Sequence, residues 1–365
     1  MPDDPYPMAL ARTALFDTHV AAGARMVDFG GWEMPLHYGS QIVEHNAVRN
    51  DAGMFDVSHM TIIDLDRSGA FDYLRHLTAN DPGKLDAVGR AQYGVLLNDN
   101  GGIVDDLIVY RRANGWRAVV NAATRAKCLR WFEQHAKGYD VKIDQRADLA
   151  MIAIQGPHAI AKFERVSGIA GAAAMKPFNM LERGDWMVAR TGYTGEEGVE
   201  VMLPAADGIE LWAQLVQNGV APCGLAARDT LRLEAGLNLY GQDMDDTNDP
   251  LESNLAWTVA WDPAERKFVG RVALETKRAG GVNRKLTGLV LEVKGVIRHG
   301  QRIVTDAGDG EVTSGIFSPT LGYSIALARL PKAAKGRAQV DIRGKLLPCR
   351  IVRPPFVRNG KQVFE

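Results

Sequence analysis

The sequence predicts a chain of two or three domains, with helices and hairpin-joined strands first and an all-β module last. Three observations carry this. At 365 residues the chain exceeds what one ordinary hydrophobic core supports. A hairpin turn feeding a strand at 98–111, and a second hairpin at 185–203, mark antiparallel pairing within the first part. After a Gly- and Lys/Arg-rich linker at 278–284, the runs 286–293, 311–316, 338–342 and 347–352 alternate with turn residues and show no helical period. That pattern fits a small barrel.

Composition narrows the class. Hydrophobic residues make up 46% and charged residues 24%, as in an ordinary globular protein. A net charge of −1 gives no electrostatic case for nucleic acid, and no basic tract suggests a membrane surface. No apolar run approaches the length of a spanning helix. Cys128, Cys223 and Cys349 stand far apart, with no C-x-x-C, which argues against a disulfide framework or zinc site and for a reducing compartment. Residues 1–13 read as a loose leader without the features of a signal or transit peptide, so the expected location is cytoplasmic.

Along the chain, paired glycines with Trp32 and Pro35 predict a packed irregular loop over 23–40. Ser40 is the expected cap of a helix through Arg49, stopped by Gly53. A strand follows at 61–66, then a helix capped by Ser68 with Phe71, Leu74 and Leu77 on its apolar face. Residues 116–120 read as a strand, and 122–137 as a helix burying Leu129 and Phe132 and ending at Gly138. A buried strand at 151–155 ends at Gly156, with His158 as a turn residue. Strands 186–191 and 199–203 flank the loop 192–198, whose glycine spacing is not that of a dinucleotide fingerprint. Asp207 is the expected cap of a helix bearing Leu211, Trp212 and Leu215, stopped at Gly219. Residues 222–236 read as a short helix with Arg228 and Arg232 on one face. A solvated face fits those arginines, but the flanking leucines favour partial burial, which demands anionic partners.

The most informative stretch is 98–111. Asn-Gly-Gly makes a tight turn, and an apolar β-branched run follows, interrupted by Asp105 and Asp106. Side chains alternate along a strand, so the two acids face opposite sides and only one enters any given pocket. A strand-end acid capping a loop or pairing with an arginine fits this pattern equally well.

Taken together, 23–40, 53–60, Tyr93 with 98–110, 190–200, 224–243 and 313–324 resemble the glycine cleavage system T-protein, a tetrahydrofolate-dependent aminomethyltransferase family. The resemblance implies an α+β chain arranged as a three-domain cloverleaf around a central folate site. Its parts are two antiparallel-sheet α+β domains, expected at 1–145 and 146–280 with the chain crossing between them, and a C-terminal β-barrel at 281–365. The implied reaction passes a methylene group from the aminomethylated dihydrolipoyl arm of the H-protein to tetrahydrofolate, releasing ammonia. The lipoyl arm comes from the partner, and no metal is implied.

The family's catalytic acid matches Asp106, a choice that periodicity leaves open. Glu200 matches the acceptor of the pterin's paired donors, with Tyr193 packed nearby, and Arg228 matches a further site residue. Met60 and Tyr93 match positions lining the folate, as do Trp257 and Arg358. On their residues alone, Met60 and Tyr93 would be core and Glu200 a hairpin acid. Two other readings share the fold: folate-linked demethylases of sarcosine or dimethylglycine, which carry a flavin module with no fingerprint here, and non-catalytic folate binders, whose Lys-Gly-Cys segment this chain lacks.

Overall fold

The computed structural model describes residues 9–365, so the first part of the 1–13 leader lies outside the described residues. Two sheets face each other across a shared layer of side chains, each with helices on its outer side. The first has five strands in the order Ala91–Leu97, Ile103–Arg112, Gly115–Val120, Thr61–Asp66 and Lys142–Gln145. All its pairings are antiparallel. Helices Ala70–Leu77 and Arg125–His135 cover its outer face through Leu74, Leu77, Cys128 and Phe132 against Leu107 and Val109.

The second sheet runs Met180–Arg183, Trp186–Ala189, Gly198–Pro204, Leu149–Gln155, Gly53–Asp56 and Ala221–Pro222; its last pairing is parallel. Helices Ala159–Ser167 and Ala205–Gln217 bury Phe163, Leu211 and Trp212 against its outer face. The inner faces meet through Ile62, Tyr110 and Val119 on one side and Met151, Met187 and Met202 on the other. Unbranched methionines fill the irregular gap between two twisted sheets. The Gly53–Asp56 strand belongs to this second sheet, so the chain passes through it before entering the first.

The C-terminal strands Arg284–Leu291, Arg302–Thr305, Gly308–Phe317, Ser324–Pro331, Arg337–Ile342 and Lys345–Val352 close into a barrel. It docks on helix Leu225–Glu234, where Leu233 packs with Val352 and Phe356.

Several local expectations are corrected. The 23–40 segment is a hairpin, Arg25–Phe29 with Trp32–His37, because Gly30 and Gly31 take φ of +59° and +86° and form its turn. Ser40 does cap the helix Gln41–Asn50, but Gly53 is a strand residue rather than its stop. A Cβ on Gly53 would lie 2.5 Å from Val48 and 2.7 Å from the Cys223 sulfur, so close packing requires the glycine. Ser68 bonds Asp140 at 2.7 Å instead of capping Ala70–Leu77, and Phe71 stays on the surface. Asp207 lies inside the first turn of its helix and accepts the Trp186 indole N–H. The expected linker is in part the end of helix Arg271–Gly280.

Candidate active site

Strand Ile103–Arg112 separates two environments. Leu107 and Val109 point into the helix-covered layer, whereas Ile108 and Tyr110 point towards the second sheet. Asp105 follows the first set and Asp106 the second, as side-chain alternation requires. Asp105 is fully buried. It accepts from the Asn121 backbone N–H at 3.1 Å, Asn121 Nδ2 at 2.7 Å, the Thr124 hydroxyl at 2.6 Å and the Cys128 thiol at 3.1 Å. Asp106 is half-buried at the wall of a cavity of about 500 Å³. Its Oδ2 accepts from the Tyr93 hydroxyl at 2.9 Å and its Oδ1 from Asn121 Nδ2 at 2.6 Å.

Both acids hold protons more tightly than usual. For Asp105 burial is the cause, offset by its hydrogen bonds. For Asp106 burial comes first, followed by the Asp105 charge, and together they push the carboxyl up to about 7. The Tyr93 and Asn121 donors act against that rise.

The same cavity is lined by Met60, Tyr93, Tyr193, Glu200, Arg228, Trp257 and Arg358, so these seven and Asp106, all eight residues singled out in the sequence, converge on it. Hairpin strand Gly198–Pro204 carries Glu200, which is buried and accepts the Thr191 hydroxyl on Oε2 at 2.6 Å. Its Oε1 receives no hydrogen bond from the described residues. Burial raises its pKa, while Thr191 and the charge of Arg228 hold it back. The Arg228 guanidinium lies 4.6 Å from the centre of the Tyr193 ring. Among the described residues no carboxylate comes within salt-bridge distance of it. Arg232, one turn further, pairs instead with Asp229 and Asp243, both at 2.8 Å.

At the rim, Trp257 is 64% exposed and stacks on Tyr93, ring centres 5.7 Å apart. Arg358 reaches the cavity from a tail pinned to the second sheet's hairpin loop, where Asn359 N–H bonds Gly195 O at 3.2 Å and Gly360 N–H bonds Glu196 at 2.8 Å.

Sequence reasoning missed Asn121, Thr191, His59 and Tyr110, of which all but Thr191 line the cavity. Asn121 was detectable only through register. Leu107 pairs with Val120, which sets Asn121 opposite Asp106. His59 sits in the already noted stretch 53–60, and Tyr110 shares the strand face of Asp106 at i+4.

Known proteins agree with this architecture along nearly the whole chain. Residues 15–263 match the GCVT N-terminal domain family, and residues 284–358 match the glycine cleavage T-protein C-terminal barrel domain. The chain is 57% identical over 357 residues to an aminomethyltransferase of Chromobacterium violaceum, covering 97% of this chain and 99% of the relative. It is 56% identical over 358 residues to one from Alcanivorax borkumensis, with coverage of 97% and 99%. The crystal structure of glycine cleavage system aminomethyltransferase T from Bartonella henselae superposes with a TM-score of 0.91 at 33% identity, covering 96% of this chain and 99% of that one. The chain therefore belongs to the glycine cleavage T-protein family of aminomethyltransferases.

Proposed function

We propose that the cavity between the sheets seats tetrahydrofolate, with its ring at Glu200 and its reacting amines at Asp106. The enzyme then passes it a methylene group from the aminomethylated dihydrolipoyl arm of the H-protein, releasing ammonia. The observation that supports this most strongly is the offset of two carboxylates along the cavity, Asp106 on one of the facing sheets and Glu200 on the other. Tyr110 lies four residues beyond Asp106 on the same strand face, about 13 Å at the usual rise per residue, and beside Glu200. A reduced pterin with its bridging amines needs one acid at each end of such a span.

The residues fit the ring. Glu200 keeps one carboxylate oxygen without a donor among the described residues, on a side chain that lines the cavity. An amino group beside a ring N–H would satisfy a carboxylate in the two-point manner an arginine does. Tetrahydrofolate supplies two amine nitrogens that together take up a one-carbon unit. Asp106 offers a carboxyl whose proton affinity lies near neutrality, so it can accept and return a proton at physiological pH. Its negative form also stabilises positive charge that develops in front of it. Asp105 stays behind the strand as a fixed charge that tunes its neighbour, and Tyr93 and Asn121 hold the Asp106 carboxyl in one orientation.

Contact with the H-protein is expected to be small and short-lived, because the lipoyl arm must enter and leave each cycle. A cytoplasmic setting is part of this proposal, supported by three free, buried cysteines. Among the described residues no helix is long and apolar enough to cross a membrane. The decisive assay incubates the protein with aminomethylated H-protein, with and without tetrahydrofolate. Methylenetetrahydrofolate and ammonia should form only when tetrahydrofolate is present. Tight folate binding without transfer would favour a non-catalytic folate binder instead.

A further inference from the structure

The hairpin Arg25–Phe29 with Trp32–His37 belongs to neither facing sheet nor to the barrel, and its two ends are held very differently. At the foot, Met34 is fully buried. Tyr38 donates its backbone N–H to Glu44 at 2.7 Å, and its hydroxyl lies 2.8 Å from His19 Nδ1. The tip, residues 28–31, is exposed. Between foot and tip the ladder is weak, because Pro35 has no N–H to give and the register slips between Arg25 and Met26.

The tip lies against the cavity. Phe29 lines it and is nevertheless 38% exposed, so its ring stands between the cavity and solvent. It meets His59 edge to face, ring centres 5.6 Å apart. Gly30 approaches the loop after Asn121 so closely that a Cβ there would lie 3.1 Å from Ala123 Cβ. His59 and Ala123 both line the cavity, and the tip bridges them. Among the described residues no hydrogen bond joins 28–31 to either loop. The tip's bonds outside the hairpin run to Ala11, from Ala11 N–H to Gly31 O at 2.9 Å and from Glu33 N–H to Ala11 O at 2.8 Å, which makes Ala11 part of the same flap. Contacts of this kind, apolar and few, separate at low cost. The ring end of the cavity lies beneath, since the charge of Arg228 reaches both Glu200 and His59.

Resting on the proposed seat of the ring at Glu200, we propose that the hairpin tip is a lid over the folate cavity, bending near Pro35, and that folate enters and leaves only when Phe29 and Gly30 lift off His59 and Ala123. A closed lid holds the ring in place, and its opening limits exchange of the folate.

The test locks the lid with a disulfide. In the full-length double variant Gly30→Cys with Ala123→Cys, the two new thiols face each other, and the three native cysteines are buried. Association and release of 5-formyltetrahydrofolate are followed by stopped flow for the wild type and for the oxidised and reduced forms of the variant. Oxidation should slow association and release together, each by about tenfold or more, and reduction should restore both. The dissociation constant should stay within about twofold, because a lock on the closed state alters the path and not the bound complex. Phe29→Ala, which adds no bond, should speed release. Equal exchange rates in the two redox states overturn the lid, as does slower association without slower release, the mark of a damaged site. A wild type that does not bind 5-formyltetrahydrofolate overturns the proposed folate seat itself.

Discussion

Asp105 and Asp106 share a single amide. Asn121 Nδ2 donates to Asp105 at 2.7 Å and to Asp106 at 2.6 Å, although the two acids point to opposite sides of their strand. The bridge is possible because Asn121 lies just past the end of the neighbouring strand, where its side chain can reach both. It ties the charge of a buried acid to the proton affinity of the acid in the cavity.

That coupling gives opposite pH shifts for two substitutions. With Asp106 active as a carboxylate, kcat/KM for transfer should fall as pH drops through about 7. The Asp105 charge raises the Asp106 pKa, so Asp105→Asn should move the acid limb to lower pH. The Asn121 hydrogen bond lowers it, so Asn121→Ala should move the limb to higher pH. Each shift should be about one unit, roughly the worth of one such interaction. Profiles measured with both variants check the signs, and a shared direction would contradict the coupling.

Glu234, buried where the barrel meets its helix, accepts from Arg49 at 2.7 and 3.1 Å and from the Thr320 hydroxyl at 2.7 Å, and lies 3.4 Å from His45. Burial would raise its pKa, but His45, Arg49 and Ser318 outweigh it and hold the carboxyl down to about 2. The stabilisation, about 3 kcal/mol, is full above the unfolded value near 4.5 and is lost as pH falls towards 2. Glu234→Gln should lower stability at pH 7 by a similar amount and flatten this acid dependence in urea unfolding.

The turn before the acid strand is equally constrained. A Cβ on Gly102 would lie 1.8 Å from the Asp246 carbonyl oxygen, and Ile103 N–H bonds Asn248 O at 2.9 Å. Gly102→Ala should cost about 1–3 kcal/mol by forcing the two loops apart. It should also lower transfer activity, since the 236–240 segment upstream of that loop lines the cavity. Unfolding midpoints and activity measured together test this.

The acid strand was legible because its information is local: a glycine turn, a β-branched run and period-two alternation. The 23–40 hairpin was not, because its two short strands lack β-branched periodicity and the glycines that form its turn also mark irregular loops. Barrel strands Arg302–Thr305 and Ser324–Pro331 were missed for related reasons: the first is four residues long, and the second mixes alanines with leucines in place of β-branched residues. Ser68 and Asp207 illustrate a different limit. Each is a residue type that caps helices, but a distant partner, Asp140 or Trp186, claims its side chain. The convergence of eight site residues came from long motif resemblance. Asn121, Tyr110 and His59 became visible only when register and burial were known.

The most direct test compares Asp106→Asn with Asp105→Asn in a single turnover of aminomethylated H-protein with tetrahydrofolate, alongside the affinity of each variant for 5-formyltetrahydrofolate. Asp106→Asn should lose transfer by about 10²–10⁴-fold while still binding folate, and Asp105→Asn should lose far less. Equal losses in the two variants, or near-normal transfer by Asp106→Asn, would contradict the assignment of the chemistry to the acid in the cavity.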